Sequence, residues 1–165
     1  MRQRIGEILV RNGVLTPVQC ARILDEQSRT HRPFGELAEI MFNVTPHQLE
    51  EAWAEQYESI TARVDPLTER VDRLVAMQIT RRQAWQFRVL PLRMDGTELL
   101  ICTCREHLPR AVRFAYQHFG TGCYFVMSSK DQLTDALEHY YPMDGAASVL
   151  KATDEARALV RGEIA

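Results

Sequence analysis

The N-terminal third of the sequence contains an imperfect repeat. The first copy, residues 4–27, reads RIGEILVRNGVLTPVQCARILDEQ, and the second, residues 33–56, reads PFGELAEIMFNVTPHQLEEAWAEQ. An offset of 29 residues aligns the following identical pairs: Gly6 and Gly35, Glu7 and Glu36, Thr16 and Thr45, Pro17 and Pro46, Gln19 and Gln48, Glu26 and Glu55, Gln27 and Gln56. Because turn formers, capping residues and apolar positions match together, the repeat predicts one supersecondary unit used twice.

Each copy predicts a short helix, a tight corner and a longer helix. Gly13 stands where a helix C-terminus favours a residue at positive φ. Thr16 is a good N-cap, Pro17 fits the first helical position, and Gln19 completes a capping box. The second copy repeats this signal, and we predict the longer helices at about Pro17–Gln27 and Pro46–Tyr57. Their predicted buried stripes are Cys20, Ile23 and Leu24, then Leu49, Ala52 and Trp53.

The rest of the chain predicts a second, smaller domain after a crossing segment. Residues 60–72 lack a sustained period and contain Asp65-Pro66, which favours extended backbone. The predicted elements are a helix at Leu74–Phe87 that Thr80 interrupts or re-caps, a strand at Arg88–Arg93 with Pro91 at an edge or bulge, a turn at Asp95-Gly96, a strand at Thr97–Cys104, a helix at His107–Phe119, a strand at Cys123–Met127 and a helix at Lys130–Tyr140. Leu74, Met77 and Trp85 suggest the first of these helices, and the second has Leu108, Val112, Ala115, Tyr116 and Phe119 on one side and Gly120 as its stop.

The predicted fold class is therefore α+β. Residues 1–59 form a helical repeat domain with units 4–27 and 33–56, residues 60–72 a linker, and residues 73–141 an α-β-β-α-β-α domain. Residues 142–165 are predicted to be a flexible tail with a short helix at Lys151–Arg161 that is mobile or packs on another molecule.

Composition excludes several classes of protein. A net charge of −2 and a pI near 6.2 give no basic footprint for nucleic acid. No run of about 18 apolar residues and no signal-peptide core occur, so we expect no membrane insertion and a cytoplasmic protein. The four cysteines lack the spacing of a disulfide scaffold, which agrees with a reducing compartment.

The first copy resembles the N-terminal regulatory domain of type II secretion and type IV pilus assembly ATPases, in its MshEN version, which binds the bacterial second messenger cyclic di-GMP. The family pattern is Arg-Leu-Gly, two aliphatics, Gly with two aliphatics, Leu, Leu and a closing Gln, written twice with a five-residue spacer. In this sequence the pattern falls on Arg4-Ile5-Gly6, Leu9-Val10, Gly13-Val14-Leu15, Cys20, Leu24 and Gln27. The second domain also resembles the family, through Val89-Leu90-Pro91-Leu92 and Tyr140-Tyr141.

The second copy departs from this pattern. Pro33 takes the place of Arg, Ala38 and Glu39 that of the aliphatic pair, and Phe42 that of the second Gly; Asn43 replaces an aliphatic and Trp53 replaces Leu. Phe34, Gly35, Val44, Leu49 and Gln56 keep the character of the pattern.

The resemblance implies a ligand-binding set for cyclic di-GMP in the repeat. A guanidinium suits phosphate or a guanine edge, glycines allow close approach of a ligand, an amide can pair with a base edge, and aliphatics cover guanine faces. Each of these residues also has an ordinary role as a surface or core residue. The set is Arg4, Ile5, Gly6, Leu9, Val10, Gly13, Val14, Leu15, Cys20, Leu24, Gln27, Arg32, Phe34, Gly35, Val44, Leu49 and Gln56.

Enzymatic chemistry finds no support in the sequence. No Gly is followed by Lys, so we expect no ATPase part with the loop G-x-x-x-x-G-K-[ST]. Cys102, Cys104 and His107 have a spacing that zinc could use, but no fourth ligand follows, and we interpret the cysteines as buried free thiols without a metal. No nucleophile, base and orienting residue stand together.

The sequence thus predicts a noncatalytic, cytoplasmic regulatory module that binds cyclic di-GMP without a further cofactor. The alternative is an adaptor that keeps the fold, has lost the nucleotide and docks a protein of a secretion, pilus or signalling system; Glu39 and Phe42 favour it. If cyclic di-GMP binds, copy one should carry most of the affinity, and loss of Gln27 should cost more than loss of Gln56. The oligomeric state and the partner are left open.

Overall fold

The computed structural model describes residues 3–161. The chain divides into two compact units, Met1–Ala62 and Arg63–Ala165. From residue 3 onward, the regular elements of the first unit are all helices, whereas the second unit contains a three-stranded sheet and helices. This is the predicted α+β fold class.

The first unit consists of two helix-corner-helix elements. Its helices are α1 (Ile5–Arg11), α2 (Pro17–Thr30), α3 (Phe34–Phe42) and α4 (Pro46–Glu58). Thr16 and Thr45 are N-caps in capping boxes, as predicted. The Thr16 hydroxyl accepts a hydrogen bond from the Gln19 N–H at 3.2 Å, and the Gln19 amide oxygen accepts one from the Thr16 N–H at 2.8 Å. Both long helices continue slightly past their predicted ends, α2 to Thr30 and α4 to Glu58.

The two copies pack crosswise around one core. Helix α1 contacts α4, and α2 contacts α3, so each short helix lies on the long helix of the other copy. The core consists of four pairs of residues that the repeat offset relates. These pairs are Ile8 and Leu37, Leu9 and Ala38, Leu15 and Val44, and Ile23 and Ala52. The repeat therefore contributes equivalent side chains to the core from both copies.

The predicted buried stripes of α2 and α4 are only partly correct. Ile23 and Ala52 are buried, while Cys20, Leu49 and Trp53 are half-buried. Leu24 is 48% exposed, which contradicts its predicted place in the core. Helical periodicity places Leu24 beside the buried stripe, and the residue lies outside the core cluster of this unit.

The corners of the two copies reach the same point by different backbone paths. In copy one, α1 ends at Arg11 and Gly13 adopts a φ of +72°. In copy two, α3 continues through Phe42, and the positive φ of +53° moves to Asn43. Asn adopts this conformation more readily than Phe does, so the loss of the glycine is tolerated.

The second unit begins with irregular chain and two short helices. Asp65 accepts a hydrogen bond from the Leu67 N–H at 3.0 Å and so stabilises a turn. The predicted helix is divided into α5 (Arg73–Ala76) and α6 (Arg81–Phe87), and Thr80 caps α6 in a capping box with Gln83, as the predicted interruption at Thr80 allows. Of the apolar residues that suggested a helix here, Trp85 is buried, whereas Leu74 and Met77 are 77% and 76% exposed.

The sheet has the order β1-β2-β3. Its strands are β1 (Leu90–Asp95), β2 (Glu98–Cys104) and β3 (Cys123–Ser128), with β2 antiparallel to β1 and parallel to β3. Strand β1 lies at an edge and its register shifts between Pro91 and Arg93, as the proline predicts. Strand β1 begins later than predicted, at Leu90, and the turn is Gly96-Thr97, one residue further along the chain than predicted.

The remaining helices pack on the sheet and on each other. A 3₁₀ turn (Arg105–His107) leads into α7 (Leu108–His118), and α8 (Lys130–Tyr140) has its predicted bounds. Tyr116 of α7, which the sequence groups on one side of the helix with Leu108 and Ala115, is 88% exposed, whereas those two residues are buried. Helix α9 (Ala146–Arg161) begins earlier than the predicted tail helix and contacts α8 of its own unit. Among the helices of residues 3–161, none combines the length and apolar composition of a membrane span.

The threonine caps predict a measurable stability cost. Thr45→Ala removes the hydroxyl that accepts the Gln48 N–H at 3.2 Å, and we expect the free energy of unfolding to fall by about 1 kcal/mol. Thr45→Ser keeps the acceptor and should retain most of the stability. Urea unfolding followed by circular dichroism measures both variants, and an unchanged midpoint for Thr45→Ala would contradict the capping role.

Candidate functional site

The candidate site residues of the repeat fall into three groups by exposure. Four of them are buried and belong to the core of the first unit: Gly6, Leu9, Leu15 and Val44. The half-buried members are Ile5, Val10, Val14, Cys20, Gln27, Phe34, Gly35, Leu49 and Gln56. Arg4, Gly13, Leu24 and Arg32 are exposed. A ligand that binds this conformation can reach the second and third groups only.

Gly6 is a point of close helix packing. A Cβ atom at Gly6 would lie 2.8 Å from Cys20 Sγ and 3.0 Å from Phe34 Cζ. Phe34 belongs to the second copy, so the glycine allows a side chain of that copy to pack on α1. At Gly35 a Cβ atom would be 3.6 Å from Leu49 Cδ1, which is an ordinary contact. The equivalent pairs Gly6 with Cys20 and Gly35 with Leu49 show that both glycines face the long helix of their own copy.

The closing glutamines form hydrogen bonds to the backbone. Gln27 Nε2 donates to the carbonyl oxygen of Arg32 at 3.2 Å. Gln56 Nε2 donates to the carbonyl oxygen of Gln3 at 2.9 Å. The acceptors are also 29 residues apart, and each directly precedes a copy of the repeat. Each glutamine thus holds the entry of the copy that it does not belong to.

A polar network at the entry of α1 was not predicted from the sequence. Arg11 Nη1 donates to Gln3 Oε1 at 2.9 Å, and Arg11 Nη2 pairs with Glu55 of α4. Asn12 Nδ2 donates to the other Glu55 oxygen at 3.2 Å. Gln3 lies one residue before the first copy, so the bounds of the repeat leave it out. Local sequence patterns also do not indicate which helices form ion pairs with each other.

The second copy offers a different charge environment. Arg32, which could stand in for the missing arginine, has its Nη1 atom 3.7 Å from Glu36 Oε1. Glu39 is exposed at the position equivalent to Val10. The guanidinium of Arg22 lies over the ring of Phe42, with 5.6 Å between Cζ and the ring centroid. An anionic ligand would therefore meet a carboxylate and a partly neutralised arginine on this side.

The second unit contains buried ionisable groups but no metal site among its described residues. Burial raises the pKa values of Cys102 and Cys104 to about 12, so both thiols stay protonated. Within residues 3–161, no three His, Cys, Asp or Glu side chains lie together in a way that could hold a metal ion.

Arg88 is a buried cation that sequence reasoning placed at the start of a strand. It instead ends α6 with a φ of +52°, and its carbonyl oxygen accepts from the Thr103 hydroxyl at 2.8 Å. Its guanidinium donates to Thr134 Oγ1 at 3.3 Å and lies 3.9 Å from Asp154 Oδ2 of α9. Burial lowers the pKa of Arg88, and the Asp154 carboxylate opposes that shift. These contacts attach α9 to the second unit.

Two surface cavities lie in the second unit. One, of about 540 Å³, is bordered by α6 and the start of α9 and includes Trp85, Met143 and Val149. The other, of about 430 Å³, lies between α7 and the start of β3 and includes Tyr116, Phe119 and Cys123. Neither cavity contains a candidate site residue.

Gly6 and Gly35 predict opposite responses to alanine. In Gly6→Ala the new methyl group collides with Cys20 and Phe34, and overpacking costs about 1–3 kcal/mol, only partly offset by the roughly 1 kcal/mol advantage of Ala in a helix. Gly35→Ala meets no such obstacle and should be neutral or stabilising. Paired urea melts of the two variants measure the difference, and equal stabilities would contradict the packing role of Gly6.

His107 predicts a pH dependence of stability. Burial, and then the nearby Arg88 cation, lower the pKa of His107 from 6.5 to about 4, against the smaller opposing effect of Glu106 and Asp154. Below pH 6.5 the unfolded chain takes up a proton that the folded chain does not, so this residue makes the free energy of unfolding fall as pH drops from about 6.5 to 4. His107→Gln should lose less stability than the parent between pH 7 and pH 4.5 in urea melts. An identical loss in both proteins would contradict the assignment.

Comparisons with known proteins place the chain in a family. The model of the MshEN domain matches residues 54–147. No curated protein matches the chain. Similar solved structures include MshE with cdg, which is 25% identical with a TM-score of 0.48 over 85% of this chain and 100% of that chain. They also include the N-terminal domain of XpsE, 16% identical with a TM-score of 0.46 over 86% of this chain and 99% of that chain.

The family model spans more than half of the chain, including the sheet and the α7–β3–α8 segment of the second unit. The chain belongs to the MshEN domain family.

Proposed function

We propose that this chain is a noncatalytic, cytoplasmic regulatory module that binds cyclic di-GMP through its N-terminal repeat. The proposal combines membership of the MshEN family with the nearly complete motif of the first copy. MshE, one of the similar structures, carries cdg.

The exposure of Leu24 is the observation that carries this proposal. Leu24 is 48% exposed, although it lies on a helix that buries Ile23 completely in the core. The motif assigns Leu24 to the ligand, and a planar base covering it would remove this apolar surface from water. Val10 and Val14 are half-buried and offer further apolar surface in the same copy. Arg4 supplies an exposed guanidinium that suits phosphate or a guanine edge.

The second candidate function is a protein-docking adaptor without nucleotide binding. The exposed Glu39 and the ring of Phe42, covered by Arg22, support it, because both stand where the motif has Val10 and Gly13 in copy one. The partner would be a component of a secretion, pilus or signalling system.

Titration calorimetry with cyclic di-GMP distinguishes the two functions. We expect the unmodified chain to bind, and Arg4→Ala to weaken binding about tenfold to a hundredfold, since a charge-assisted hydrogen bond contributes about 1.5–3 kcal/mol. Arg29→Ala is the matched control: Arg29 is an exposed arginine of the same copy that pairs with Asp25 at 2.6 Å and lies outside the motif.

The control variant should bind like the parent. Absence of heat from the unmodified chain at high micromolar ligand would rule out the nucleotide and leave the adaptor. Equal affinities for the Arg4→Ala and Arg29→Ala variants would show that Arg4 does not contact the ligand.

A further inference from the structure

The peptide bond between Gln3 and Arg4 is held at both of its polar atoms. Its carbonyl oxygen accepts from Gln56 Nε2 at 2.9 Å, and its N–H donates to Glu7 Oε2 at 3.0 Å. Because a peptide unit is planar, two fixed atoms on opposite sides of it leave little freedom for the Cα atom of Arg4. The direction in which the Arg4 side chain leaves the backbone is therefore set by one residue of each copy.

We propose that Gln56, a residue of the second copy, is a positioning residue for Arg4 of the first copy. This inference rests on the proposed function for its effect on a ligand, although the positioning itself concerns the free protein. Arg11 reinforces the arrangement, because it donates to the Gln3 side chain at 2.9 Å while it pairs with Glu55, the neighbour of Gln56.

The equivalent peptide bond of the second copy is held only once. Gln27 Nε2 donates to the Arg32 carbonyl oxygen at 3.2 Å, but the next residue is Pro33, which has no N–H. Glu36, the counterpart of Glu7, instead lies 3.7 Å from Arg32 Nη1. At the position equivalent to Arg11 stands Ile40, which cannot donate a hydrogen bond.

This difference reverses an expectation from the motif. If each glutamine acted on its own copy, Gln27 would matter more, because copy one is the better preserved. The crosswise hydrogen bonds instead connect Gln56 to the copy with the nearly complete motif. Loss of the Gln56 side chain should therefore weaken ligand binding more than loss of the Gln27 side chain.

The first test needs no ligand. In ¹H–¹⁵N spectra of the full chain, Gln56→Ala should shift the Arg4 amide signal, and the matched variant Gln27→Ala should leave it in place. Gln56→Glu keeps the length of the side chain and removes the donor, so it should shift the Arg4 signal as Gln56→Ala does. An unmoved Arg4 signal in Gln56→Ala, or equal shifts in the Gln56→Ala and Gln27→Ala variants, would overturn the positioning role.

The second test is a double-mutant cycle in calorimetry with cyclic di-GMP. We expect Gln56→Ala to weaken binding about threefold to tenfold, in line with the loss of one hydrogen bond. In the Arg4→Ala background the same change should cost less than twofold, because the residue that it positions is gone. Additive losses would overturn action through Arg4. No binding by the parent would overturn the proposed function, and the amide spectra would then still decide the positioning role.

Discussion

The first unit depends on the crosswise contact of each short helix with the long helix of the other copy. A short helix such as α1 buries Ile8 and Leu9 only if a partner helix covers them, because an isolated helix of this length is unstable in water. The covering helix belongs to the other copy, so neither copy can bury the apolar face of its short helix alone. This constraint explains why copy two keeps apolar residues at every core position while it loses much of the motif: Leu37, Ala38, Val44 and Ala52 stay buried.

The departures of copy two are accommodated without loss of the core. Pro33 and Glu39 are exposed, and Phe42 is only half-buried, so their identities are free to change as long as the core pairs remain. The corner illustrates this freedom, since Asn43 takes over the positive φ that Gly13 supplies in copy one. Hence the changes to the motif in copy two are compatible with an intact fold. The preserved core residues of copy two support the fold and are no evidence for a ligand.

Local sequence signals predicted the helices and strands well, but they could not predict contacts between residues that are distant in the sequence. The Thr-Pro caps, the proline bulge in β1 and the bounds of α8 follow from a few neighbouring residues, and the structure confirms each. Leu24 was assigned to a buried stripe and is 48% exposed, because periodicity gives the direction of a side chain but not the width of the surface that covers it. For the same reason the repeat could not show that Gln56 and Gln3 meet, or that Arg88 turns inward at a helix end.

The structure also narrows which motif residues a ligand can use. The family match covers mainly the second unit, whereas the proposed ligand face lies in the first, so the two lines of support concern different residues. Within the motif, the side chains of Cys20 and Phe34 occupy the space beside Gly6. Leu9 and Leu15 belong to the core. Gln27 and Gln56 each donate one side-chain hydrogen bond to a backbone carbonyl oxygen. Their amide oxygens and second N–H groups can still bind other partners. On the proposed function, copy one therefore offers a ligand the exposed guanidinium of Arg4 and the accessible apolar surface of Val10, Val14 and Leu24. The second copy contributes through the hydrogen bond from Gln56 to the Gln3 carbonyl oxygen, which on our proposal positions Arg4.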